Sequence, residues 1–317
     1  MKILLTGAAG FIGSHTARAL LEQGDTVIGI DSLNEYYSPV WKQENLDDLA
    51  NYSEFTFYKQ DIRDLAGMQE IMDMSGTIDA IVHLAARAGV RPSIAEPLLY
   101  QDVNVRGSLH MLELARQYKV PQFVFASSSS VYGNQAKVPF SETDPCNQPI
   151  SPYAATKKAT EELAHTYAHL HGFNTIGLRF FTVYGPAGRP DMAPYLFTEA
   201  ILSETAINKF GDGSTKRDYT YIDDIVAGVV ASTRLERPFE IINLGNNTPI
   251  SLNEFISTLE KITSKTMRIN QHEIPPGDVQ QTYADVSKAA ELLGFEPRTP
   301  FDQGLEKFVN WYKAHRL

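Results

Sequence analysis

The 317 residues contain a single cysteine, Cys146, so no disulfide can form within the chain. No second cysteine or nearby histidine gives it metal-ligand spacing, and no metal is expected. A reducing, cytoplasmic compartment fits such cysteine usage. Long apolar runs are also missing. The opening MKILL carries a lysine and a short apolar run, as a secretory leader does, but Gly7, Gly10 and Gly13 interrupt it and nothing long and apolar follows. It reads as a first strand, and no membrane association is expected. Positive charge is scarce as well: 28 Lys and Arg against 38 Asp and Glu leave a net charge of −10 and a pI near 5.3. Nucleic acids and anionic membranes both need a cationic surface, so neither is an expected partner. If the ligand is an anion, individual arginines must hold it. Repeats and low-complexity segments are absent.

What is present is ordinary globular material, 43% hydrophobic and 21% charged, enough for a large core. Strand-like runs (Ile3 to Thr6, Thr26 to Ile30, Phe55 to Tyr58, Ala80 to Leu84, Phe123 to Ser127, Ile176 to Phe181) alternate with helix-like stretches. That alternation predicts an α/β fold: a doubly wound, mostly parallel sheet of Rossmann type. Ile12, Thr16, Ala19 and Leu20 recur at helical spacing, and Gly24 ends that helix. Beyond Thr182 the pattern turns irregular, with Pro186, Pro190, Pro194, a GDGS turn at Gly211 to Ser214 and an IPPGD turn at Ile274 to Asp278. A smaller C-terminal lobe is expected there. The run FEIINLG, Phe239 to Gly245, reads as a strand returning to the main sheet. The expected division is therefore a main Rossmann-type domain of residues 1–181 plus about 218–248, and a smaller lobe of about 182–217 and 249–317.

GAAGFIG sets Gly7, Gly10 and Gly13 as G-x-x-G-x-x-G between strand and helix. Missing side chains let backbone approach a pyrophosphate, which sits on the free N–H groups and positive dipole end of the helix. A tight turn with no ligand uses glycines equally well. Asp31 adds weight: at the end of the second strand an acidic side chain accepts hydrogen bonds from an adenosine ribose and repels a 2′-phosphate. No arginine follows at Ser32 or Leu33, so NAD is preferred over NADP; a capping or solvent-facing aspartate is the bland alternative. Asp61 and Ile62, after the third strand, would border the adenine. SPYAATKKA holds Tyr153 and Lys157 at i, i+4, on one helix face. A lysine ammonium beside a phenol favours the phenolate and makes a usable general base. FVFASSSSVYG brings Ser128 to the carboxyl edge of the sheet, where such folds bind ligands. Tyr and Lys four apart are commonly a surface pair and serine runs commonly loops, so these segments gain meaning from one another.

With these segments in view, the sequence resembles the extended short-chain dehydrogenase/reductase family, specifically its NAD-dependent nucleotide-sugar epimerases. The resemblance runs through GAAGFIG, IDSLNEYY with Asp31, HLAARAGVRPS from His83, NVRGSLHMLELAR from Asn104, SSSSVYG, SPYAATKKA, RFFTVYGPAGRPDM from Arg179 and KRDYTYIDD from Lys216. AGVR, YGPAGRPDM and IDSLNEYY look most like UDP-glucuronate 4-epimerases. The resemblance implies Tyr153, Ser128 and Lys157 as catalytic residues, with Gly7, Gly10, Phe11, Ile12, Gly13, Asp31, Asp61, Ile62, Leu84, Ala85, Ala86, Tyr153 and Lys157 around NAD. Tyr153 would take the 4-hydroxyl proton while hydride passes to NAD, and hydride would return to the opposite face of a 4-keto sugar, so that NAD stays bound.

Related decarboxylases carry a glutamate just before Val-Tyr-Gly, where this chain has Ser130, and 4,6-dehydratases need acidic residues where Ser129 and Ser130 stand. Thr182 occupies a position where UDP-hexose epimerases commonly have asparagine. Hydroxyls at Ser129, Ser130 and Thr182 would then serve a carboxylate, with Ser128 on the sugar's 4-oxygen and Arg91 and Arg189 as candidates for the carboxylate or the phosphates. Arg217 matches the family's phosphate-binding arginine. A second such arginine found in several epimerases is replaced by Pro275, and Asp278 is expected at the uridine ribose. A homodimer through the helical stretches Leu98 to Tyr118 and Tyr153 to His171 is implied. The competing expectations are a UDP-glucose or UDP-N-acetylhexosamine 4-epimerase and a non-catalytic NAD-sensing protein; intact Ser128, Tyr153 and Lys157 speak against the sensor.

Overall fold

A computed structural model describes residues 1–273 and 281–317. Its centre is a seven-stranded sheet. β1 (Lys2–Thr6), β2 (Thr26–Asp31), β3 (Phe55–Lys59), β4 (Ala80–His83), β5 (Gln122–Ser128) and β6 (Asn174–Phe180) are joined by helical crossovers, and Phe239–Leu244 adds a seventh strand beside β6. The spatial order is Phe239–Leu244, β6, β5, β4, β1, β2, β3, with every neighbouring pair parallel. Chain direction across the sheet reverses between β1 and β4, which opens a crevice at their carboxyl ends, where ligands bind in such sheets. The near-continuous apolar sequence of β1 follows from burial on both faces. Ile3 and Leu5 join one core layer while Leu4 joins the other, as period-two alternation requires.

The strands fall within one or two residues of the runs read from the sequence. One helix does not. The stretch expected as a single helix over Leu98 to Tyr118 is three pieces: Pro97–Tyr100, a π-helical turn Gln101–Arg106, and Gly107–Gln117. The wide turn surrounds the buried Asn104, whose side chain accepts from the Arg87 N–H at 2.7 Å, donates to the Arg87 carbonyl at 3.0 Å and donates to Thr156 Oγ1 at 3.1 Å. Such turns are frequent where a helix serves a site. This one ties the loop after β4 to the helix that bears Tyr153.

The later residues build a four-stranded sheet from Thr182–Tyr184, Lys216–Tyr221, Pro249–Ser251 and Gln281–Thr282, and a two-stranded one from Ala206–Phe210 and Arg268–His272. Helices Ala193–Leu202, Leu252–Thr263 and Phe301–Arg316 pack against them. Leu252–Thr263 starts at a capping box of Ser251 and Glu254, which satisfies N–H groups that the helix leaves open at its start. Among the described residues no helix is long and apolar enough to cross a membrane.

Candidate active site

A cleft of about 600 Å³ lies at the carboxyl ends of β1, β4 and β5. Its floor begins with the glycine loop. Gly7 has φ +76°, and its N–H donates to the Ile30 carbonyl at 2.7 Å, turning the chain sharply out of β1. A Cβ on Gly13 would lie 1.9 Å from the Gly7 carbonyl oxygen, so only glycine lets the helix Phe11–Glu22 start this close to the turn. Gly10 caps that helix without a side-chain hydrogen bond. Bare N–H groups and the positive end of the helix dipole therefore face the cleft, a fit for a pyrophosphate. Gly7, Gly10, Phe11, Ile12 and Gly13 all line it, as do Asp31, Asp61, Ile62, Leu84, Ala85 and Ala86.

Asp31 is buried, accepting from the Leu33 N–H at 2.8 Å and the Ala9 N–H at 3.3 Å. Lys42, which the sequence reading missed, is also buried in the cleft wall. Its Nζ stands 3.8 Å from Asp31 Oδ1 and donates to the Asn34 carbonyl at 3.0 Å. No local spacing gave it away, because the helix Pro39–Leu49 has to fold back over β2 to bring it there. Asp61 is bound to Arg63, whose guanidinium holds its carboxyl below the usual range.

β5 ends at Ser128, and a 3₁₀ turn Ser129–Tyr132 follows, so the serine run bends across the mouth of the strand. Ser128 Oγ donates to Ser130 Oγ at 3.0 Å and accepts from the Ser130 N–H at 3.2 Å. Opposite stands the helix Pro152–His171, capped by Ser151, whose side chain accepts from the Ala154 N–H. Its first turns carry Tyr153 and Lys157 into the same cleft. Burial pushes the Tyr153 phenol upward, while the neighbouring Ser128 hydroxyl and the positive charge of Arg189 draw it down. The sequence reading gave the last role to Lys157. Its Nζ donates to the Ala126 carbonyl at 2.7 Å, and burial lowers it to about 8. The i, i+4 spacing places both side chains in one cleft, with the Lys157 ammonium held on β5 and Arg189 adding positive charge toward the phenol. Glu161, one turn below Lys157, is buried in a two-point pair with Arg179 at 2.8 Å and accepts from Ser127 Oγ at 2.6 Å, bracing β5 and β6 against the helix.

Ser129, Ser130, Thr182 and Arg189 also line the cleft. Arg189 pairs with Asp191, and its guanidinium lies 5.5 Å from the centre of the Tyr36 ring, with Arg87 on that ring at 4.8 Å. Tyr36 donates to the Ala88 carbonyl at 2.7 Å. Arg87 and Tyr36 line the cleft and were not singled out by the sequence; Arg91 is exposed on the short helix Val90–Ala95 and is not in the lining. Arg217, on Lys216–Tyr221, also stands outside that lining. Pro275 and Asp278 lie outside the described residues.

A buried polar chain supports the floor. His83, at the end of β4, meets Thr6 Oγ1 at 2.8 Å through Nδ1 and Ser108 Oγ at 2.9 Å through Nε2. Ser108 donates its own proton to the Asn104 carbonyl, so the network assigns His83 the neutral form with Nε2–H donating and Nδ1 accepting. Burial depresses its pKa to about 3. A histidine that stays neutral when folded and has an ordinary pKa of 6.5 when unfolded takes up protons only on unfolding, so its contribution is full above about pH 6.5 and is lost as pH falls from there toward 3. The expected loss is about 2 kcal/mol at about pH 5. Urea unfolding should register this slope, and His83→Asn should flatten it. An equal slope in the variant would put the acid sensitivity elsewhere.

The family described as GDP-mannose 4,6 dehydratase matches residues 4–308. The chain is 44% identical to UDP-glucuronate 4-epimerase of Thermodesulfobacterium geofontis, over 98% of this chain and 96% of that one. It is 42% identical to UDP-glucuronate 4-epimerase 3 of Arabidopsis thaliana, over 99% of this chain and 77% of that one. Among solved structures, UDP-glucuronic acid 4-epimerase from Bacillus cereus with UDP-glucuronic acid and NAD superposes with a TM-score of 0.91 at 38% identity, covering 99% of both chains. UDP-glucose 4-epimerase from Thermotoga maritima with UDP-glucose gives 0.91 at 34%, again over 99% of each. The parallel sheet with its glycine loop, the Ser128, Tyr153 and Lys157 cluster and these full-length similarities make the chain a member of the extended short-chain dehydrogenase/reductase family, among its NAD-dependent nucleotide-sugar epimerases.

Proposed function

We propose that this cleft converts UDP-glucuronate to UDP-galacturonate through a transient 4-keto sugar, with NAD retained through the cycle. The observation that carries this is a single cleft lined by Ser128 and Tyr153 together with the hydroxyl side chains of Ser129, Ser130 and Thr182 and the guanidinium of Arg189. NAD held by the glycine loop, Asp31 and Lys157 would supply the hydride acceptor and donor for carbon 4. Tyr153 accepts the 4-hydroxyl proton as that carbon is oxidised and gives it back on reduction. Ser128 donates to the same oxygen, and Lys157 fixes the cofactor ribose beneath the phenol. The four donors around Thr182 hold the carboxylate, and Arg217 and Asp278 are assigned to the UDP end.

Residues 1–181 with about 218–248 serve the cofactor in this reading, and the remaining lobe serves the nucleotide sugar. A cytoplasmic homodimer belongs to it too, with Leu98 83% and Leu170 64% exposed on the helices expected to pair. The commitment of Arg189 to Asp191 favours the alternative, a neutral UDP-hexose 4-epimerase, since an arginine already neutralised needs no substrate carboxylate.

Incubation with UDP-glucuronate in heavy water tests both. The expected product is UDP-galacturonate with no deuterium at carbon 4, because the hydride never exchanges with solvent. Deuterium at carbon 4 would refute internal transfer, and conversion of UDP-glucose alone would establish the alternative.

A further inference from the structure

The helix Pro39–Leu49 forms the outer wall of the cleft beside Asp31, and two of its side chains reach inward. Lys42 stands at Asp31, and Asn45 Nδ2 donates to the Ala9 carbonyl, inside the glycine loop, at 2.9 Å. On this helix only Lys42, Leu46 and Leu49 are buried, so its apolar anchorage is thin. Its other side is held from the far end of the sequence. Arg316, in the last turn of Phe301–Arg316, lies between two indoles, with its guanidinium carbon 4.4 Å from the centre of the Trp41 ring and 4.9 Å from that of Trp311. Nη2 pairs with Glu44 at 2.7 Å, and the arginine side chain is only 9% exposed. Tyr195 packs on Trp41 at 5.4 Å, and His315 stacks on Trp311 at 5.4 Å. The sandwich thus closes around a desolvated cation, the setting in which cation–π attraction is strongest.

We infer that the Trp41–Arg316–Trp311 sandwich is a positioning clip for the cofactor: it fixes the helix Pro39–Leu49 so that Lys42 and Asn45 keep Asp31 and the glycine loop in their binding geometry. The inference rests on the reading of the cleft as an NAD site. Trp41 and Glu44, one turn apart, face the clip, while Lys42 lines the cleft at Asp31 and Asn45 is bonded to the glycine loop at Ala9. A rigid helix transmits a shift at one side to the other. Arg316 partners Glu44, Trp41, Trp311 and His315 among the described residues, and none of these is part of the cleft lining, so its effect on the cofactor is carried by this helix.

The two tryptophans of the chain both belong to the clip, so intrinsic emission reports on it without added labels. In Arg316→Ala the emission maximum should move to longer wavelength, and NAD should dissociate roughly 3- to 30-fold faster, the range expected of a coupling through packed neighbours. UDP affinity should stay unchanged. Arg316→Lys, which keeps the charge and loses the planar stack, should restore part of the retention. If Arg316→Ala fails to fold, Glu44→Gln opens the pair with less disturbance and should shift both signals in the same direction. Altered emission with unchanged NAD retention in these variants would overturn the clip. An unmodified protein that binds no NAD would overturn the clip together with the reading of the site, whereas one that holds NAD but turns over another UDP-sugar leaves this test intact.

Discussion

Tyr153→Phe should purify with NAD and turn over UDP-glucuronate about 10²- to 10⁴-fold more slowly, the usual contribution of a positioned acid–base group. The phenol oxygen is the only atom removed, and the ring keeps its edge contact with Tyr100 at 6.3 Å between ring centres. The loss should therefore fall on kcat, with substrate and cofactor affinity close to those of the parent. Because burial raises the Tyr153 phenol while Ser128 and Arg189 lower it, removing Ser128 or Arg189 should move the acidic limb of the kcat profile, where the phenol must lose its proton to act as base, upward in pH. Rapid-quench measurement of the first turnover would separate the chemical step from product release. A rate within a few-fold of the parent would assign the proton transfer to another group and leave Tyr153 a packing residue.

UDP-glucuronate should exceed UDP-glucose in kcat/KM by at least about 10²-fold, because donors arranged for a carboxylate are left unpaired by a hydroxymethyl group, and each buried unpaired donor costs about 1–3 kcal/mol. Ser129, Ser130, Thr182 and Arg189 all line the cleft. Arg189 enters the comparison already paired with Asp191, so a substrate carboxylate must displace one carboxylate for another, and the hydroxyls then carry most of the discrimination. The same contacts bear on a side reaction. A 4-keto uronate is a β-keto acid, and holding its carboxylate away from alignment with the ketone prevents loss of carbon dioxide. Thr182→Ala should lower epimerisation and release some UDP-pentose, detectable by chromatography of the sugar nucleotides. Equal efficiencies for the two sugars would instead identify a neutral-hexose enzyme.

Local pattern made the sheet legible. Strand runs such as Ala80 to Leu84 and Phe123 to Ser127 lie within a residue or two of β4 and β5, because buried parallel strands leave an apolar signature that needs no knowledge of their neighbours. Gly7, Gly13 and Asp31 were readable for the same reason: their geometry follows from residues within one strand–turn–helix unit. Lys42, Tyr36 and Arg87 were not readable, since each enters the cleft by a fold-back or a loop contact that no local spacing encodes. Lys157 shows the limit from the other side. Its i, i+4 relation to Tyr153 gave the shared face, but the carbonyl of Ala126 that captures its ammonium sits on a strand about thirty residues earlier. The π turn at Gln101–Arg106 escaped for a related reason, because its extra width answers to Arg87 and not to its own sequence.

The seventh strand has a consequence for how the protein is made. Phe239–Leu244 covers the outer edge of β6, yet it leaves the ribosome some sixty residues after that strand. At ordinary rates of about 5–20 residues per second, β6 waits several seconds with its backbone donors and acceptors open. Ile176 and Leu178, fully buried in the finished protein, belong to that waiting edge, which is the kind of surface that pairs with a stranger. Cellular folding helpers would therefore be needed most during this interval, and a nascent chain stalled between the two strands is the species most prone to clump.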